Sequence, residues 1–151
     1  MTGFPLPAPM RRALDLARSA GESGEVPVGA VITMDEQIVA DSGNAMRSAN
    51  DPTAHAEIVA IRKAAEALGQ SRLDGCTLWV TLEPCAMCAA AASLARVERV
   101  VFGADDPKGG AVIHGPRLFA QPTCHHRPEV LAGIGEAESA ALLRGFFAER
   151  R

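Results

Sequence analysis

Two short segments carry the side chains best suited to chemistry: His55-Ala56-Glu57, and Pro84-Cys85-Ala86-Met87-Cys88. Two thiolates and an imidazole are borderline-soft donors of the kind that hold Zn²⁺. A set of three protein ligands leaves the fourth tetrahedral position to water, which is the catalytic arrangement. Zinc lowers the pKa of that water from ~16 to about 7. A carboxylate outside the ligand set, here Glu57, can take the proton and pass it to a leaving group. Such a site suits hydrolytic replacement of an amine on an unsaturated ring carbon. Two other readings fit the same residues. Cys76, Cys124, His125, His126 or His114 can supply a fourth ligand and close a structural zinc site, giving a binding protein without turnover. Alternatively, Cys85 and Cys88 can act as a redox dithiol.

Local sequence must place these groups. Cys85 and Cys88 sit at i and i+3 of a helix predicted over Cys85–Ala95, so both thiols share a face, with Pro84 at its start. Asp51-Pro52-Thr53 is a helix-start signal for a second helix over Ala54–Leu68, stopped by Gly69. His55 and Glu57 are both near its first turn. Side chains tilt toward a helix N-terminus, and the dipole there favours anions. An ion just beyond two such ends is reachable by His55 and both cysteines, with Glu57 left to face the water.

The remaining elements follow from periodicity. Met10–Ala20 is amphipathic and helical. Val28–Met34 and Gln37–Ser42 flank Asp35-Glu36 as a hairpin. Cys76–Leu82 and Val97–Gly103 are strands, and Asp105–Pro116 is loop. Gln121–Gly135 has no readable period. Glu136–Glu149 is a last helix, anchored by Leu142, Leu143, Phe146 and Phe147. Strand–helix–strand units require right-handed crossovers, so the order implies an α/β fold: a mixed sheet with helices on both faces.

Composition narrows the class. The chain has 151 residues, which suits a single domain over 1–151. Its 48% hydrophobic and 22% charged residues are those of a globular protein, not a disordered one. The 28 alanines mean a core of small side chains. A net charge of −3 gives no case for a general nucleic-acid binder. Basic residues are 13 Arg against 2 Lys; Arg suits phosphate and base edges, but genomic base composition is the favoured account of the bias. Pro84–Ala95, the longest uncharged run, is too short to span a bilayer. Met1–Arg12 lacks an apolar signal core, so a cytoplasmic protein is expected.

The pattern H-x-E followed by P-C-x-x-C is the zinc-deaminase signature. Longer stretches extend the match: Glu25–Val31, Asp51–Glu57, Leu78–Ala89, Arg99–Ala104 and Ala140–Arg151. The chain resembles the bacterial tRNA-specific adenosine deaminases, which make inosine at the anticodon wobble position. That resemblance implies a cytidine-deaminase-like three-layer αβα fold with a five-stranded mixed sheet, and a homodimer. It implies one zinc on His55, Cys85 and Cys88, with Glu57 as proton shuttle. Asn44, Ala56, Asp106 and Lys108 match positions around the flipped nucleotide. Phe146, with Arg144, Arg150 and Arg151, matches a C-terminal helix that touches the tRNA anticodon stem-loop; DNA and membrane partners are not implied. Ala90-Ala91 replaces the family's usual Gly-Ala, and Gly109–His126 diverges where it borders the pocket. Deamination of free guanine, cytosine or cytidine by the same chemistry is the alternative.

Overall fold

The computed structural model describes residues 5–150. Helix α1 (Ala8–Glu22) leads into the hairpin β1 (Gly29–Met34) and β2 (Gln37–Gly43). Helix α2 (Ala56–Leu68), strand β3 (Cys76–Leu82), helix α3 (Ala86–Ala95) and strand β4 (Arg99–Ala104) follow. A 3-10 turn at Leu118–Ala120, a short strand β5 (Glu129–Leu131) and helix α4 (Glu136–Ala148) complete the chain. Together the strands make one mixed sheet in the order β2-β1-β3-β4-β5. β1 is antiparallel to both β2 and β3, while β3, β4 and β5 run parallel. The hairpin turn puts both Asp35 and Glu36 at positive φ, 51° and 66°, as a two-residue type I′ turn requires.

Strand alternation splits the core in two. Ala30 and Ile32 of β1, Leu78 and Val80 of β3, and Val100 and Phe102 of β4 face α2 and α3. Val31 and Val101 point the other way, against Met10, Ala13 and Leu14 of α1. The α2 face that meets the sheet is Ala56, Ala60 and Ala64; that of α3 is Ala89, Ala92 and Ala95. Alanine stripes at these spacings let helix backbones sit close to the strands. On the other face α1 presses against Gly29, where a Cβ would lie 1.9 Å from the Ala13 carbonyl oxygen.

Several element ends differ from the sequence expectation. Helices α2 and α3 begin at Ala56 and Ala86, so His55 and Cys85 are extended N-cap residues rather than helical ones. Strand β4 begins at Arg99, two positions later than the apolar run starting at Val97; Val97 is instead buried at the α3–β4 junction, its N–H bonded to the Ala92 carbonyl. β5 lies in the stretch without readable period. It has only three residues and exists through pairing with β4, where Arg99 and Glu129 also form an ion pair. No helix among the described residues is long and apolar enough to cross a membrane.

Candidate active site

The N-termini of α2 and α3 meet at one point. His55 Nδ1 lies 3.6 Å from the Cys85 sulfur and 3.5 Å from the Cys88 sulfur. The three ligand atoms fall within 4.8 Å of one another, and this is the one His/Cys/Asp/Glu group among the described residues with the geometry for a metal ion. As N-cap residues His55 and Cys85 have extended backbones, which turn their side chains across the helix end. Cys88 reaches back from the first turn of α3.

The groups at this point shift one another's ionisation. The Cys88 thiol, hydrogen bonded to the Cys85 sulfur, lowers Cys85 to about 5 against the opposing effect of burial. As donor in that bond, and buried, Cys88 is pushed up in return. Burial also raises the Glu57 carboxyl, and the Cys85 sulfur pushes it the same way. Glu57 is 4% exposed, in the first turn of α2. Such a cluster could hold a metal ion that takes both sulfurs as thiolates.

A pocket of about 250 Å³ opens over this group, lined by Asn44, His55, Ala56, Glu57, Cys85 and Asp106, with Met46, Glu83 and Gly109 among its other walls. Asn44 Oδ1 accepts the Met46 N–H at 3.3 Å, so it holds its own turn as well as facing the cavity. Asp106 caps a turn through its Oδ1, which accepts the N–H of Lys108 at 3.2 Å and of Gly109 at 3.0 Å. Lys108 is exposed at the tip of that turn and is not in the lining. Phe146 lies elsewhere, in a groove between α1 and α4 beside Arg18, Gly21 and Pro27, with the Arg150 guanidinium 3.5 Å above its ring. Arg144 is exposed on α4, and Arg151 lies outside the described residues.

The candidates for a fourth ligand are placed apart. Cys76 is buried in β3. Cys124 Sγ is 3.6 Å from Ser93 Oγ and donates to the His126 carbonyl at 3.2 Å. His126 Nε2 is 2.7 Å from the Val97 carbonyl. His125 is exposed beside a separate groove on α3. His114 bonds to Glu83.

Two buried carboxylates absent from the sequence expectation secure the pocket walls. Glu25 Oε1 and Oε2 accept the N–H groups of Arg47 at 3.0 Å and Ser48 at 2.8 Å, fixing the turn that carries Asn44 and Met46. Glu83 does the same for the segment after β4, with bonds to the N–H groups of Asp106, Val112, Ile113 and His114. Their signal in the sequence was a single acid in each of two otherwise apolar contexts, Glu25-Val-Pro-Val and Thr-Leu-Glu83-Pro.

Residues 7–151 match the family model of MafB19-like deaminases. The tRNA-specific adenosine deaminase of Agrobacterium fabrum is 61% identical over 142 residues, covering 94% of this chain and 93% of that protein. A solved structure from work on A-to-I editing by tRNA:A34 deaminases at the wobble position is also 61% identical. Its TM-score is 0.88, and the match covers 89% of this chain and 98% of the other. Guanine deaminase of Bacillus subtilis is more distant, at 34% identity and a TM-score of 0.65, over 94% and 91% of the two chains. The chain therefore belongs to the MafB19-like deaminases and, within them, to the tRNA-specific adenosine deaminases.

Proposed function

We propose that this protein is a zinc-dependent hydrolase that converts adenosine to inosine at the wobble position of a tRNA anticodon, releasing ammonia. The observation that carries the chemistry is the His55–Cys85–Cys88 group with buried Glu57 at the floor of a pocket. Zinc fits the donors. With Zn–N near 2.0–2.1 Å and Zn–S near 2.3 Å, a tetrahedral site separates its nitrogen and sulfur ligands by roughly 3.6 Å. The His55–Cys85 and His55–Cys88 separations are 3.6 and 3.5 Å. When bound there, the ion acts as a Lewis acid that makes water a competent nucleophile near neutral pH.

The chain's own residues supply the rest. Glu57 is the acid–base group: it takes a proton from the attacking water and delivers it toward the leaving N6 amine, while oxygen joins C6. Burial raises its carboxyl, which suits a group that must both take and give a proton. Asn44 has its Oδ1 engaged by Met46, which leaves its amide N–H₂ to donate to an acceptor on the purine. The Ala56 backbone and Asp106 border the base and sugar. Lys108 at the pocket rim, and Phe146 with Arg144, Arg150 and Arg151, contact the flanking RNA. One domain spanning 1–151 carries the whole activity.

A homodimer in the cytoplasm completes the reading. Leu94 on the outer face of α3 is 81% exposed. It borders a groove of about 300 Å³ with Ala90, Leu118 and Cys124. A second copy on this face would cover apolar surface that a monomer leaves wet.

Ammonia release across a substrate panel tests the function. A tRNA anticodon stem-loop with adenosine at the wobble position should turn over, with binding that weakens as salt rises. Free adenosine, cytidine and guanine should react far more slowly. Rapid turnover of free guanine with an inert stem-loop would replace the tRNA reading and leave the zinc chemistry in place. A species of one-chain mass in ultracentrifugation at micromolar concentration would remove the dimer.

A further inference from the structure

The Glu83 side chain is fully buried, immediately before Pro84 and Cys85. Its two oxygens take five donors. Oε1 accepts the Asp106 N–H at 2.9 Å and pairs with His114 Nδ1 at 2.8 Å. Oε2 accepts three consecutive backbone N–H groups: Val112 at 3.1 Å, Ile113 at 2.9 Å and His114 at 3.1 Å. A carboxylate is an acceptor only, so the shared proton sits on His114 Nδ1. The other ring nitrogen lies 3.6 Å from Asp105 Oδ2.

The segment from Asp105 to Gly115 has no helix or strand of its own. It is wrapped around this one side chain. A Cβ on Gly110 would lie 2.4 Å from the Glu83 carboxyl carbon, so the chain passes flush against it. The Ala111 N–H bonds to the Pro84 carbonyl at 2.9 Å. Asp106 and Gly109, on the pocket wall, are thereby tied to the stretch of chain that leads directly into Cys85.

We infer that Glu83 and His114 form a positioning clamp that sets the distance between the Asp106–Gly109 wall of the pocket and the metal ligands, and so governs how tightly the substrate is held. Neither residue belongs to the His55–Cys85–Cys88 group, and both oxygens of Glu83 are taken up by the loop. The inference rests on the deaminase reading above. His114 is the handle for testing it, because it lies outside the His55–Cys85–Cys88 group and its side chain is 30% exposed.

Three readouts on His114→Ala and His114→Asn decide the matter: hydrogen exchange of the 106–114 amides, zinc per chain, and steady-state deamination of the stem-loop. Losing a bond to a buried charge should speed exchange at Asp106 and at 112–114 by about tenfold in His114→Ala, with zinc unchanged. KM should rise about tenfold while kcat stays within about threefold, the pattern of lost uniform binding. His114→Asn places an amide nitrogen near the Nδ1 position and should recover most of both effects. Unchanged exchange overturns the clamp. Faster exchange with unchanged KM overturns its role in positioning substrate, as does a loss of zinc that accounts for the defect. Failure of His114→Asn to recover either effect counts against it equally. Should the wild type be inert on the stem-loop, the tRNA reading fails on its own. The clamp is then decided by the exchange arm and by KM for whichever base the wild type deaminates.

Discussion

His55 Nδ1 stands 3.5 Å from Cys88 Sγ across 33 positions of sequence. With Cys85 equally close, every donor of the group depends on the others, and one removal should empty the site. Purified protein should hold about one zinc per chain, the stoichiometry of a single three-ligand site. Cys88→Ala should bring this close to zero and lower the thermal midpoint. Cys124→Ser should leave it unchanged, because Cys124 is engaged with Ser93 and the His126 carbonyl. Zinc lost from Cys124→Ser in elemental analysis would mean that the site draws on a fourth protein ligand.

Glu57 is buried in the first turn of α2 and lies outside the His55–Cys85–Cys88 group. Glu57→Gln keeps its size and removes its capacity to accept a proton. Zinc content and fold should persist, while turnover falls by at least ~10²–10⁴, the usual contribution of an acid–base group. Activity within a few-fold of wild type, measured as ammonia release, would assign the proton transfer to another group.

Two glycines should respond in opposite directions. Gly29→Ala places a methyl 1.9 Å from the Ala13 carbonyl oxygen, so α1 must move off the sheet. We expect a loss of about 3 kcal/mol or more, or insoluble protein. Gly145 lies within α4 with nothing inside 4 Å of an added Cβ. Gly145→Ala should stabilise by about 0.5–1 kcal/mol through helix propensity alone. Denaturant midpoints of the two variants against wild type check both.

Acid should loosen the Asn44 side of the pocket. Burial alone would raise the Glu25 carboxyl, but the bonds from Arg47 and Ser48 outweigh it and hold the group below its ordinary value of 4.5. A depressed acid stabilises the fold fully above 4.5 and loses that contribution as pH falls through the lower folded value. Glu25→Gln should therefore be less stable at pH 7, and its stability should fall less steeply below pH 4.5. Denaturant melts at a series of pH values test this, and parallel curves for the two proteins would contradict it.

The sequence was most legible where one local signal sufficed. Strand Cys76–Leu82 was placed to the residue, and α1, α2, α3 and α4 fell within two residues at each end. These elements carry strong periodicity or explicit stop signals such as Gly69, which is indeed left-handed, at φ 66°. Two features were out of reach for different reasons. β5 is three residues long and is defined by its neighbour rather than its own composition. Glu25 and Glu83 act on backbone groups 22 to 31 positions away; each shows in the sequence only as a lone acid beside an apolar run, which does not reveal the main-chain donors it meets. In the site itself, the donor set was visible from residue types and spacing. The placement of Phe146 between α1 and α4, away from the pocket lining, depends on how α4 docks and has no local signature.

The Glu83 anchorage has an evolutionary side. Four of its five partners are backbone N–H groups, at Asp106, Val112, Ile113 and His114. Every residue but proline supplies such a donor. To keep those bonds, selection at Asp106, Val112 and Ile113 needs only to exclude proline, while a Cβ at Gly110 would strike the Glu83 carboxyl and one at Gly115 the Gly110 carbonyl oxygen. The exposed side chains of that loop, Pro107, Lys108 and Ile113, are free to drift, lengthen or change sign without dismantling the pocket's frame, while Ala111 and Val112 are buried. A descendant of this protein can acquire a new substrate preference by rewriting the lettering of that loop while its trace through space stays put.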